Sequence, residues 1–210
     1  MSHKLSDEIL AGYAAGSNPA AFDLVVASYL SLSDEARAAV AAYEAVGGAF
    51  LEATQPVPMA DGALDRALAK IRASTPEPVG PGQPGGLLPE PLRSLMGGDL
   101  EAIEWQPLGH GVKHALIPAK GDALARLMAV QPGCALPERG KAGTEITLVL
   151  QGAYTSAQER FARGDIEVTK SGAVASISDG DSTCICLTAN DSKENFDKMV
   201  GRYLEPIFGR

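Results

Sequence analysis

Apolar residues recur at three- and four-residue intervals through the first third of the chain, and at alternate positions through much of the rest. Leu5, Ile9, Leu10 and Tyr13 form one stripe over residues 5–15, the spacing of an amphipathic helix. Ser6 is placed to cap it, Asp7 and Glu8 to occupy its first turn, and Gly16 to end it. Phe22, Val25, Val26 and Tyr29 make a second stripe, opened by Asn18 as cap and Pro19 at the first helical position. Ser33 caps a third segment, DEARAAVAAYEAVGGAFLEA, whose alanines favour helix and whose Gly47-Gly48 weaken its last third, as a kink or a close-packing point. Asp61 is placed to cap ALDRALAKIRA, with Ala63, Leu64, Ala67, Leu68 and Ile71 on one face. Four helices within about 75 residues predict a small helical domain.

After Asp99 the period falls to two. AIEWQPL, KHALIPA, DALARLMAV, TEITLVLQGAYT, GDIEVTK and STCICLTA are short runs bounded by Gly, Pro, Asp or Ser. Runs of this kind predict an antiparallel sandwich or barrel. In the tail, Phe196, Met199, Val200, Tyr203 and Leu204 return to helical spacing, against Gly201 and Pro206. Residues 74–98 hold six of the 14 prolines and six of the 23 glycines, a composition that blocks both helix and ladder and so reads as a linker. From Leu87 on, its end is placed to dock on the second domain. The pattern therefore divides the chain into a helical domain at 1–75, a linker at 76–98 and a β domain at 99–210, and the linker predicts that the helical domain folds and acts independently.

Charge and cysteine usage narrow the function. The chain of 210 residues carries a formal charge of −8, and neither half has the basic patch that a phosphate backbone requires, so no direct nucleic-acid partner is expected. Cys134, Cys184 and Cys186 have no disulfide-like spacing and fit a reducing cytosol. On a strand, Cys184 and Cys186 would face the same side. The opening MSHKLSDE lacks a signal-peptide core and no apolar run is long enough for a membrane span, so a soluble cytoplasmic protein is expected.

One stretch carries a recognisable frame. In GCALPERGKAGTEITLVLQG, Gly133 precedes Arg139-Gly140-Lys141, then come Glu145 and, after six further residues, Gly152. This resembles the first conserved motif of cupins, in which His-x-His stands where Arg139 and Lys141 stand here. Gly164-Asp165 resembles the start of the second cupin motif, whose histidine position is held by Ala175. Of the four metal ligands that the resemblance implies, only Glu145 remains. Guanidinium and ammonium have no lone pair for a metal. Two readings stay open: Arg139 and Lys141 pair with Glu145 and replace the metal's charge, or the three form a pocket for a small anion.

SDEILAGYAAG, FDLVVASYLSLSDEARA, AVGG and TLVLQGA, with the order helices–linker–cupin, resemble the ChrR family of bacterial anti-sigma factors from end to end. The resemblance implies an α+β chain: a helical anti-sigma domain followed by a cupin β-sandwich or barrel. It implies that the protein binds an extracytoplasmic-function sigma factor, with the helices lying between the two sigma domains, and inhibits it while the cupin answers a signal. It also implies zinc in the helical domain. Here the matching positions are Tyr29, Ser33 and Ala36, with the upstream ligand at Lys4 or, shifted by one, His3. A phenol, a hydroxyl and a methyl do not replace imidazole and thiolates, so no cofactor is expected. Tyr29 can fill the vacated space and Ser33 can serve as a cap.

His110 and His114, four apart in GHGVKHALIPA, would share a face if both lay on a strand, as structural residues or, with Glu145, as metal ligands. No nucleophile–base pair, phosphate loop or paired carboxylate stands out, so the chain is not expected to be an enzyme. The competing expectations are a small-anion-binding or catalytic cupin with a helical dimerisation domain, and a divergent paralogue that no longer binds sigma.

Overall fold

The computed structural model describes residues 4–74, 86–117, 124–137, 143–170 and 176–191. Arg139, Lys141, Ala175, His3 and the tail from residue 192 lie outside them. Helices α1 (Asp7–Ala14), α2 (Ala20–Leu30), α3 (Asp34–Glu52) and α4 (Ala63–Ala73) fall where the apolar stripes predict them.

Their ends differ from the expected caps in instructive ways. Ser33 does cap α3, its hydroxyl accepting from the Ala36 amide. Ser6 holds the cap position of α1 without making the side-chain bond. Pro19, rather than Asn18, precedes α2, and the Asn18 amide instead donates to the Ile9 carbonyl at 2.9 Å, tying α2 to α1. Gly62, in the left-handed region, takes the capping place expected of Asp61. Gly47 and Gly48 do not kink α3, which runs unbroken to Glu52. A fifth helix, α5 (Glu90–Met96), forms within the proline-rich stretch, with proline in its first turn where no amide bond is lost.

Among the described residues nine strands follow: β1 (Gln106–Gly109), β2 (Val112–Ile117), β3 (Leu124–Val130), β4 (Thr144–Gln151), β5 (Ala153–Ser156), β6 (Glu159–Ala162), β7 (Ile166–Lys170), β8 (Ser176–Asp179) and β9 (Cys184–Asn190). They make a six-stranded antiparallel sheet, β1-β2-β3-β9-β4-β7, facing a three-stranded one, β6-β5-β8. The run TEITLVLQGAYT is two strands in two sheets. The chain changes sheet at Gly152, whose φ is 69° and where a Cβ would come within 3.0 Å of the Cys184 backbone. The four-residue β6 and β8 are too short to show a period of their own.

Alternation along the large sheet sorts its side chains into two cores. Met128, Val130, Val149, Cys184 and Cys186 point inward and pack with Tyr154 and Phe161 of the small sheet. Leu127, Ile146, Leu148, Leu187 and their neighbours point outward and join Leu10, Phe22, Val25, Val26, Tyr29 and Val40 of α1–α3 in one cluster. Leu88 and Leu92, at the end of the linker, belong to the same cluster, and α5 packs on α2. The expectation of a helical part cored by itself is thus corrected: α2 lies on the outer face of β3, β9 and β4. Val25 and Val26 are wholly buried there, each worth about 1.5–3 kcal/mol relative to exposure.

Candidate functional site

The helical region changes character part-way along α3. Ala36 and Val40 are buried, but no later residue of that helix is. Val46, Phe50, Leu51, Val57, Met59, Leu64 and Ile71 are then exposed in sequence, Phe50 and Leu51 by about three quarters and Met59 and Val57 by more. Single exposed leucines are ordinary; a sustained series of large apolar side chains along one stretch marks an interaction surface. Helix α4 has no buried residue at all. A Cβ added at Gly47 or Gly48 would meet no atom of the described residues within 4 Å, so their cost to α3, about 1 kcal/mol each relative to alanine, has no packing reason among the described residues.

The four positions that the family resemblance links to zinc are brought together. Lys4 forms an ion pair with Glu35 in the first turn of α3. Ser33 and Ala36 share the capping bond, Tyr29 is buried at the end of α2, and the Leu32 amide donates to the Tyr29 carbonyl. Those positions hold a cap, an ion pair and a packed ring. Their ammonium, phenol, hydroxyl and methyl do not fit zinc.

In the barrel, Glu145 is buried and faces the interior, as the motif predicts. Its described neighbour was not foreseen: Arg126 of β3, also buried, places Nη2 3.9 Å from Glu145 Oε2. The only hint in the sequence is a single cation amid the apolar DALARLMAV. Register puts Arg126 opposite Thr188, and Thr188 opposite Thr147. On β7, Glu167 accepts from the Tyr154 hydroxyl at 2.6 Å and the Ser156 hydroxyl at 2.8 Å. His114 is buried in the lumen, and burial together with the Arg126 cation lowers its pKa, favouring the neutral imidazole. His110 does not join it. That residue sits exposed in the β1–β2 turn with φ 48°, which corrects the expectation of a shared face. Cys184 and Cys186 do share a face, wholly buried with their sulfurs 3.5 Å apart. Among the described residues no group of three or more His, Cys, Asp or Glu could hold a metal ion, and a carboxylate paired with a guanidinium does not fit one.

The family described as "ChrR Cupin-like domain" matches residues 94–193. The anti-sigma-E factor ChrR of Cereibacter sphaeroides is 39% identical to this chain over 207 residues, covering 98% of this chain and 97% of that protein. Among solved structures, the crystal structure of Rhodobacter sphaeroides SigE in complex with the anti-sigma ChrR matches with a TM-score of 0.79 and 40% identity, over 91% of this chain and 100% of that one.

Proposed function

The chain belongs to the ChrR family of anti-sigma factors, and from that premise we propose that it binds an extracytoplasmic-function sigma factor and withholds it from core RNA polymerase. The observation that carries the reading is the exposed apolar series from Val46 to Ile71 on α3, α4 and the segment between them. An amphipathic helix that none of the described residues covers suits a groove or a cleft between two domains of a partner. Gly47 and Gly48 suit the same contact, because a helix without Cβ atoms at two adjacent positions admits another backbone closely. The formal charge of −8 favours a basic partner surface.

In this reading residues 1–75 supply the sigma-binding part, residues 76–98 the linker, and residues 99–210 the part that answers a signal, without zinc in either. The protein works by occupying a surface rather than by catalysis, and it works in the cytoplasm. Among the described residues no helix is long and apolar enough to cross a membrane.

The test is sigma-dependent transcription in vitro, with the sigma factor taken from the same native cytosol by pull-down. The full chain and residues 1–75 should both inhibit. A pull-down that yields no sigma factor, or a full chain that leaves transcription unchanged, overturns the reading in favour of a divergent paralogue or a ligand-binding cupin.

A further inference from the structure

The exposed apolar series on α3, α4 and the segment between them is matched by a second apolar stripe in the same chain. Phe196, Met199, Val200, Tyr203 and Leu204 recur at helical spacing in residues 192–210, which lie outside the described residues. The other stretches outside them, 1–3, 75–85, 118–123, 138–142 and 171–175, hold no more than one large apolar side chain apiece: Met1, Val79 and Val174. A segment of this chain that covers the series has to come from 192–210.

We propose that residues 192–210 dock through their stripe on the apolar face of α3 and α4, where they compete with the sigma factor. This names a regulation of the sigma-binding surface and rests on that reading for its consequence, while the contact itself does not.

The place from which the segment departs favours the contact. Ala189, near the end of β9, is wholly buried in the core shared with α1–α3. Two residues on, Asp191 is still tied to β4, its amide donating to the Thr144 carbonyl and its Oδ1 accepting from the Thr144 amide at 2.9 Å. The segment thus leaves from the sheet on which α2 lies, and α3 packs on α2. Five residues of extended chain, from Asp191 to Phe196, reach about 17 Å, more than the roughly 10–12 Å width of one helix.

Charge favours it as well. From Glu44 to Asp65 the chain has four carboxylates, Glu44, Glu52, Asp61 and Asp65, and no lysine or arginine. Residues 192–210 carry Lys193, Lys198, Arg202 and Arg210 against three carboxylates, in a chain whose formal charge is −8. A slightly basic segment thus meets an acidic face. Gly47 and Gly48, where an added Cβ would meet no described atom within 4 Å, leave room there for a ring such as that of Phe196 or Tyr203.

The contact is weak enough to be displaced. Gly201 falls inside the stripe and Pro206 closes it after about 11 residues, a length at which a helix is marginal in water without a surface to fold on. The tether offsets this by holding the segment at an effective concentration of about 1 mM. A contact with a Kd of about 0.5 mM then covers the face about two-thirds of the time and weakens sigma binding about threefold.

The experiment uses the full chain with methyl-labelled methionine, in which exposed Met59 reports on the apolar face and buried Met128 on the barrel. Phe196→Asp with Leu204→Asp should shift the Met59 methyl and leave Met128 in place. A peptide of residues 192–210 added to that variant should return Met59 towards its native position, saturably, at a Kd of about 0.5 mM. Adding Leu64→Asp and Ile71→Asp to the variant should abolish the peptide's effect. The tail variant should bind the sigma factor about threefold more tightly than the native chain. A Met59 methyl that is the same in native chain and variant, or that the peptide does not move, overturns the docking. A change at Met128 instead does so too, because it places the segment against the barrel. A Met59 shift set by protein concentration rather than by the segment makes a second copy the occupant and overturns the proposal as well. Met59 behaving as expected with unchanged sigma affinity overturns the competition. A sigma factor that binds neither form overturns the sigma reading, while the docking still stands or falls on Met59.

Discussion

Helices α2 and α4 are each 11 residues long and both carry an apolar stripe, yet they have opposite fates. In α2, Ala21, Phe22, Val25, Val26 and Tyr29 are buried against the outer face of the large sheet. In α4 nothing is buried, and Leu64 and Ile71 stand about two-thirds exposed. α4 also has the more one-sided pattern: Lys70, Arg72, Arg66 and Asp65 occupy the rest of its surface, whereas α2 is apolar nearly all round. A helix that is apolar on most sides must go into a core; one with a single stripe can wait for a partner. The contrast separates side chains that hold the molecule together from side chains kept for something else.

The largest effect should come from breaking the buried helix. Val26→Asp places an unpaired carboxylate at a position with no exposure and should cost about 4 kcal/mol or more, read from urea denaturation. If that variant keeps its stability, α2 is not part of the core described above. Next, residues 1–75 alone lose the sheet that covers α2. The fragment should be less stable than the same helices in the full chain by about 3 kcal/mol or more, and recover on adding sigma factor, because a partner that binds only the folded form raises its melting point. A fragment that melts independently of sigma would show the two halves to be separately cored.

The converse substitutions sharpen the other side. Leu64→Asp with Ile71→Asp should leave the melting temperature of the free chain nearly unchanged, since surface changes usually stay within about 0.5 kcal/mol. The same pair should weaken sigma binding by about 2 kcal/mol or more if α4 is an anchor of the interface. Equal losses of stability and binding would mean that α4 is structural after all.

A smaller effect is expected from pH. His114 has a folded pKa below its ordinary value of 6.5, because burial and Arg126 disfavour the imidazolium. As pH falls below about 6.5 the unfolded chain takes up a proton that the folded one refuses, so stability drops in that window. His114→Gln should flatten this part of the stability–pH curve; an unchanged slope would place the linkage elsewhere. The smallest effect should come from EDTA. With an ion pair, a ring and a cap at Lys4, Tyr29, Ser33 and Ala36, the positions that the resemblance links to zinc, the melting temperature should not move. A marked fall would mean a metal site among residues outside those described.

Much of this was legible in the chain itself. Apolar periodicity fixed the four helices and the switch to strands, because amphipathic stripes are local consequences of 3.6- and 2-residue repeats. The frame from Gly133 to Gly152 identified the cupin half, and Tyr29, Ser33 and Ala36 stand where the family resemblance implies zinc donors. Tertiary structure alone decided the rest. Both α2 and α4 look like packing helices in sequence; only the sheet determines that one is covered and the other is not. Arg126, 19 residues before Glu145, becomes its neighbour because β9 intervenes between β3 and β4 and brings their inward faces to one lumen. His110 and His114 part because a turn residue with positive φ falls between strands. Local pattern sets which side chains want burial. Which of them find it, and which charges meet, depends on contacts between residues far apart in the chain, which no local period encodes.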